Sequence, residues 1–290
     1  MASRKNGRNV KKNSDNGRAV IGNGGGAAVE TNEAASPPPR LNVSFCIITH
    51  APDGDNLKQL LATLPQGAEI VIVETVPSDE ELPAMGRVWG AVENIERRAG
   101  QFGEVVTATW KYKRGDFCFA TARNVSIDLA TRGWCFWMDS DDRFTPSDGV
   151  KLRTIDGLPL GVVGIMCGCT GYQPPFRDDG AGTYYNTPHL RIFRNIPQLR
   201  FTGRVHEQII PAIMIMKGAR IESEILIRHV GYTPGRDVIK SKLQRNVALL
   251  YKHLAHPDAE DREYYQKILQ NHLGTLDDIQ AAEMPMFAAV

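Results

Sequence analysis

The chain has 290 residues, 42% of them apolar and 23% charged, with 34 basic against 33 acidic side chains and a formal net charge of +1. This composition is globular and excludes wholesale disorder, and the length suffices for one large core or two small ones. No apolar run approaches the ~18 residues of a membrane-crossing helix, so no integral membrane association is expected, and the basic first twelve residues lack the apolar stretch of a secretory signal. The five cysteines form an odd count, mostly in apolar surroundings. That fits buried thiols in a reducing, cytoplasmic setting better than a disulfide framework. Cys167 and Cys169, with no second pair nearby in sequence, read as core rather than metal ligands.

The charge is unevenly spread. Residues 1–40 hold seven basic and three acidic side chains, a net +4, which leaves −3 for the rest. Rich in Gly, Asn, Ser and Ala and ending in Pro37-Pro38-Pro39, this stretch has too little apolar surface to offset ordering entropy. It reads as a disordered basic tail. Such a tail is either simply solvated or an electrostatic tether to a polyanion such as DNA, although it has no aromatic residue to stack on bases.

The body opens on residues 43–49, an apolar, β-branched run typical of a strand buried on both faces. Leu57, Leu60, Leu61 and Leu64 then recur at helical spacing over 55–64, and Pro65-Gln66-Gly67 ends the helix. Residues 70–73 form a second buried strand. A helical stretch is expected from Ser78 towards Arg98, then a strand over 105–110, a helix over 119–132 and a fourth apolar strand over 134–138. Alternation at this pitch implies an α/β fold: a mostly parallel, Rossmann-like sheet with helices on both faces. Ligands bind such sheets beyond the carboxyl ends of the strands. The second half is less regular: a strand over 161–170, a polar loop over 172–186, strands over 189–193 and 225–230, and helices over 237–254 and 258–273, the last ending at Gly274.

The fourth strand ends on Asp139-Ser140-Asp141-Asp142. Three carboxylates in four residues repel one another, and Arg143 is the adjacent cation. Alternate residues Asp139 and Asp141 can converge on one divalent ion in an extended loop, and Mg²⁺ and Mn²⁺ prefer such oxygen ligands. A solvated acidic turn is the plain alternative; the position at the end of a buried strand favours the ion. Glu74 and Asp79 follow the second strand with groups suited to a base or ribose. Arg123 and Asn124 lie in the preceding helix, where an exposed surface pair is equally reasonable. Residues 203–208 bring Arg204, His206 and Glu207 together as a base, substrate contacts or each other's partners. His229 ends a strand, where an imidazole makes a good metal ligand. Lys242 and Arg245 share a helix face suited to diphosphate oxygens or to plain solvation.

Taken in series, residues 43–49, 70–79, 119–124, 137–142, 191–195, 203–208 and 229–232 with Lys242, Arg245 and Asn246 resemble glycosyltransferase family 2, nucleotide-sugar enzymes with the GT-A fold. The resemblance implies a tail over 1–40, a GT-A catalytic domain over 41–235 and a C-terminal helical extension over 236–290. It also implies that Asp139 and Asp141 hold Mn²⁺ or Mg²⁺, with His229 completing the set. The donor would contact Thr49, Glu74, Asp79, Arg123, Asn124, Ser140, Arg204, Lys242 and Arg245. The family usually has Asp where Glu74 stands and a small polar run where Val76-Pro77 stands, so UDP-sugar is favoured over a guanosine donor.

The family inverts at the anomeric carbon, and a direct displacement needs a base for the acceptor proton and positive charge for the departing diphosphate. Glu207 is the expected base with His206 beside it; Asp178 and Asp179, in a Gly-rich loop, are the second choice. The acceptor is open among glycan, protein, lipid-linked sugar and hydroxylated DNA base. Sugar-phosphate nucleotidyltransfer would call for a Gly-rich phosphate loop after the first strand, where His50-Ala51-Pro52-Asp53-Gly54 stands. A non-enzymatic nucleic-acid-binding protein would not need Asp139, Asp141, His206 and Glu207 intact.

Overall fold

A computed structural model describes residues 39–50, 54–85, 88–100, 103–145, 147–173, 183–230, 236–257, 259 and 261–283. The tail, apart from Pro39 and Arg40, lies outside the described residues, as do Asp178 and Asp179. Strand β1 (Val43–Thr49) is buried along almost its whole length. Its odd residues Val43, Phe45 and Ile47 enter one core and Cys46 and Ile48 the other, so the strand separates two apolar layers. In the first layer Phe45 stacks on Phe136 with ring centroids 5.1 Å apart. Truncating either ring to Ala removes about 3–5 kcal/mol of stability.

Helix α1 (Gly54–Leu61) closes the first layer through Leu60. Strand β2 (Ala68–Ser78) is longer than the sequence suggests and passes through Pro77. Proline is tolerated there because β1 stops pairing at Glu74, which leaves the rest of β2 with one neighbour. The helix expected from Ser78 to Arg98 does not form. Residues 84–85 are a short strand, β3 (Ala84–Met85), and β4 (Val88–Gly100) runs antiparallel to β5 (Gly103–Lys113). The Glu and Arg residues of this stretch favour a helix in isolation, but pairing with β5 overrides the propensity. A bulge between Glu93 and Glu96 accommodates the register, with Asn94 at φ 52°, a conformation Asn adopts more readily than most residues.

Helix α2 (Phe119–Leu129) packs Ala120, Ala122, Val125 and Ile127 into the second layer, and β6 (Trp134–Asp139) returns parallel to β1. The acidic run then turns into a strand the sequence did not reveal, β7 (Asp142–Phe144), followed by the short helix α3 (Asp148–Leu152). Strands β8 (Val162–Gln173) and β9 (Thr183–Arg194) form a long antiparallel pair. The expected polar loop over 172–186 is thus strand at both ends, its residues 174–182 lying outside the description. After α4 (Ile210–Ile215), β10 (Ala219–His229) pairs parallel with β8 and antiparallel with β7.

The strand order is β3-β4-β5-β2-β1-β6-β9-β8-β10-β7. The α/β expectation holds, with a parallel block β5-β2-β1-β6 and helices on both faces; antiparallel pairings flank that block. Helices α5 (Arg236–Ala255) and α6 (Arg262–Glu283) pack on each other and on Val205 through Leu249, Leu250, Tyr265 and Leu269. Gly274 does not end the last helix. It sits in open space, and buried Ile279 beyond it anchors the further turns.

Candidate active site

Chain order reverses at β1: β2 follows on one side and β6 lies on the other, the point where open α/β sheets take ligands. The register places Thr49 beside Glu74 and Ile48 beside Asp139. β1 and β6 therefore end side by side on Thr49 and Asp139, and Glu74 stands beside Thr49, four residues before β2 ends.

Four potential ligand groups gather there. One ligating atom from each of Asp139, Asp141, Asp142 and His229 lies within 4.8 Å of all the others. Asp142 is fully buried and takes three donors: the Asp139 amide at 2.9 Å, Arg191 Nη1 at 2.9 Å and His229 Nδ1 at 2.9 Å. Its hydrogen bonds orient the imidazole, as outer carboxylates commonly do for metal-ligating histidines. The Val230 amide donates to the Asp141 carbonyl at 2.9 Å, tying the acidic turn to β10. Arg143, the adjacent cation, instead donates to the Ser140 and Asp142 carbonyls and to Asn56 and Gln59 of α1.

The charge balance comes from farther away. Arg123 on α2 donates through Nη2 to Asp139 at 2.8 Å and through Nε to Glu207, so one guanidinium joins the acidic cluster to the expected base. Arg123 and Arg191 both lie over the Trp137 indole, at 4.1 and 3.7 Å from its centroid, and the indole Nε1 donates to the Leu190 carbonyl at 2.7 Å. Burial works to raise the Asp139 carboxyl, but the charges of Arg123 and Arg191 outweigh it and hold the group at about 2. Burial dominates at Asp141 and raises it, with Asp139 and Asp142 adding to the rise and His229 and Lys242 opposing it. Burial lowers His229, yet the hydrogen bond to Asp142 and the neighbouring carboxylates leave it net raised.

Other residues singled out in the sequence fall elsewhere. Asp79 lies just past the end of β2, five residues and roughly 16 Å of extended chain beyond Glu74, and is held by Arg114 at 2.7 and 3.1 Å. Asn124 clamps the backbone of Phe201, accepting from its amide at 2.8 Å and donating to its carbonyl at 3.0 Å. Arg204 donates to Asp116 at 2.8 Å. His206, at φ 53°, turns to α6, its Nε2 lying 2.8 Å from that of His272. Arg245 lies over the Phe119 ring at 5.3 Å. Ser140 is buried in the acidic turn.

Sequence reasoning missed Arg191, Asp142 and Trp137 as site residues. The available signal was Arg191 itself, a cation inside the apolar run of β9 that could be buried only with a carboxylate partner.

No protein-family model matches the chain. It is 25% identical over 187 residues to glycosyltransferase SunS of Bacillus phage SPbeta, and to the SPbeta prophage-derived glycosyltransferase SunS of Bacillus subtilis strain 168, covering 56% of this chain and 41% of each relative. It is 23% identical over 206 residues to the TPR repeat-containing protein Synpcc7942_0270 of Synechococcus elongatus, covering 69% of this chain and 44% of that one. The chain thus spans less than half the length of these curated relatives. Among solved structures, S. aureus TarS superposes with a TM-score of 0.41 at 12% identity, over 80% of this chain and 71% of its own. The mannosyltransferase PcManGT of Pyrobaculum calidifontis, in complex with GDP-Man and Mn²⁺, gives 0.42 at 15% identity, over 85% and 75%. In sequence, this chain is similar to glycosyltransferases over more than half its length.

Proposed function

We propose that the protein is a metal-dependent, inverting glycosyltransferase that takes its sugar from a nucleotide diphosphate, with UDP-sugar as the favoured donor. The observation that carries this reading is the convergence of Asp139, Asp141, Asp142 and His229 at the reversal point of the parallel block. The donor set fits Mn²⁺ or Mg²⁺: oxygen-rich, with one imidazole and a carboxylate that stays ionised at neutral pH. Asp139, Asp141 and His229 would hold the ion, with Asp142 orienting His229. When bound, the ion supplies positive charge for a departing diphosphate.

This chain's own residues do the rest. Thr49 and Glu74, side by side where β1 ends, would meet the nucleoside, and Lys242, close enough to Asp141 to influence it, would meet the phosphates. Glu207 would take the proton of the acceptor hydroxyl as its oxygen bonds to the anomeric carbon and the bond to the diphosphate breaks, the electron pair leaving with the diphosphate. Arg123 positions that carboxylate relative to Asp139.

The test is a panel of nucleotide sugars scored by thermal shift and donor hydrolysis, with and without Mn²⁺. A ligand at 100 times its Kd stabilises by about 2.7 kcal/mol. Stabilisation and hydrolysis by one nucleotide sugar that need the ion support the reading; equal hydrolysis in chelator removes the metal from it. Glu207→Gln is expected to bind donor and lose transfer, and retained turnover would move the base elsewhere.

A further inference from the structure

The geometry points to an acceptor platform for a neutral carbohydrate on the β8–β9 pair, built on Tyr172 and Tyr184. This deepens the proposed glycosyltransfer and rests on it. Tyr172 and Tyr184 face each other across the two strands, ring centroids 5.1 Å apart, and Tyr184 is 83% exposed. An exposed ring of that size, unsupported by a core, needs an explanation that a scattered surface aliphatic does not.

Position supplies the first part. His229 pairs with Gly171 across β10 and β8, so the tyrosine pair stands one strand position beyond the level of the acidic cluster. By strand alternation the two rings share the sheet face of Met166 and Leu190, the side on which α2 packs and Trp137 is partly buried. That is the side from which Arg123 and Glu207 reach Asp139.

Chemistry supplies the second. Residues 168–173 and 183–189 include no Lys, Arg, Asp or Glu. The one imidazole, His189, lies on the opposite sheet face by strand alternation, and desolvation and the charge of Arg191 lower it. Among the described residues beside the pair, the cation on this face is exposed Arg228, which pairs with Thr170 across β10 and β8; a polyanion's phosphates call for several. An added peptide strand would meet Pro188, which removes an amide donor from β9. Flat aromatic faces beside Thr170 and Asn186 instead suit a sugar ring, whose C–H face packs on the phenol while its hydroxyls take hydrogen bonds.

The experiment titrates the full chain, without nucleotide, with chitopentaose, maltopentaose and a wider panel of neutral oligosaccharides, by calorimetry. We expect binding of at least one, weakened about tenfold or more in Tyr184→Ala, the loss of one stacked ring. In transfer assays with that sugar, KM should rise by a similar factor, while acceptor-free donor hydrolysis and UDP affinity stay unchanged. Absence of neutral-glycan binding, equal binding by Tyr184→Ala, or preferential binding of an unglycosylated peptide or of DNA overturns the platform. Loss of donor hydrolysis in the wild-type protein would instead overturn the parent reading, and leaves the binding result to be judged by itself.

Discussion

Both ends of the parallel block bury carboxylates, but they do so differently. At the amino end Glu69 is fully buried and saturated: it accepts from Ser44 Oγ, from the Thr131 amide and hydroxyl at 2.7 and 2.6 Å, and from Arg97 at 3.3 Å. The donors come from β1, from β4 and from the turn after α2, and nothing in the arrangement calls for a ligand. At the carboxyl end, three carboxylates of the acidic run and Glu207 share Arg123, Arg191 and His229. Buried guanidinium nitrogens without a hydrogen-bond partner among the described residues occur at both ends, Arg132 Nε and Nη1 at the amino end and Arg123 Nη1 and Arg191 Nε at the carboxyl end, so the contrast lies in the carboxylates. A single carboxylate saturated by donors is a structural joint; three carboxylates and an imidazole with ligating atoms within 4.8 Å of one another could hold a cation.

That contrast can be broken at either end. Asp139→Asn should lower metal-dependent transfer roughly 100- to 1000-fold, the several kcal/mol a positioned cation contributes, with a melting temperature close to wild type. A collapse of the melting temperature would make the cluster structural like its counterpart. Glu69→Ala should do the opposite, costing about 3 kcal/mol of stability and therefore roughly 6–12 °C in Tm, while nucleotide-sugar affinity at low temperature is retained. Asp142→Asn lies between: it loosens His229 without removing an expected ligand, and Mn²⁺ affinity should fall about 10- to 100-fold, read by titration of the ion alone. Unchanged affinity would separate His229 from the metal.

A smaller effect concerns the joint between the 203–208 segment and α6. Burial lowers both His206 and His272 below 6.5, the charge of His206 adding to the effect at His272. In the unfolded chain these imidazoles take protons first, so the native state loses stability as pH falls below about 6.5 and is insensitive to them well above it. The 2.8 Å Nε2–Nε2 contact also needs one ring to accept, which protonation of both forbids. His272→Gln should flatten the fall in Tm between pH 8 and pH 5 relative to wild type; parallel curves would show the pair has no part in it. Least of all, deleting residues 1–38 should change donor hydrolysis by less than about twofold, since the stretch lacks apolar surface for packing on the site. A larger loss would give the tail a catalytic part, and loss of DNA binding at low salt alone would give it a tethering one.

The parallel block was legible because its signals are local. Residues 45–48, 70–73 and 134–138, within β1, β2 and β6, are apolar at every position, and the acidic run stands out at the end of the last. The β4 strand was not legible: its Glu and Arg residues carry helical propensity, and only the neighbouring β5 supplies partners for its backbone. β7 escaped notice because three residues give no periodicity, and its pairing with β10 joins positions 87 apart for His229 and Asp142. Of the candidate donor contacts, Asn124 and Arg204 looked equivalent to Arg123 in sequence. Their different neighbours, Phe201 and Asp116 rather than Asp139, distinguish them.

The sequence by itself determined where buried strands run, that one of them ends in clustered carboxylates, and that the first forty residues carry a positive charge without a core. Apolar periodicity and like-charge crowding act over a few residues and can be read along the chain. Tertiary structure decided which cations answer those carboxylates, which of them remain available, and what stands beside them. Arg123, Arg191, Glu207 and His229 come from four different segments, and strand order and register, set by how whole layers pack, bring their side chains within hydrogen-bonding distance.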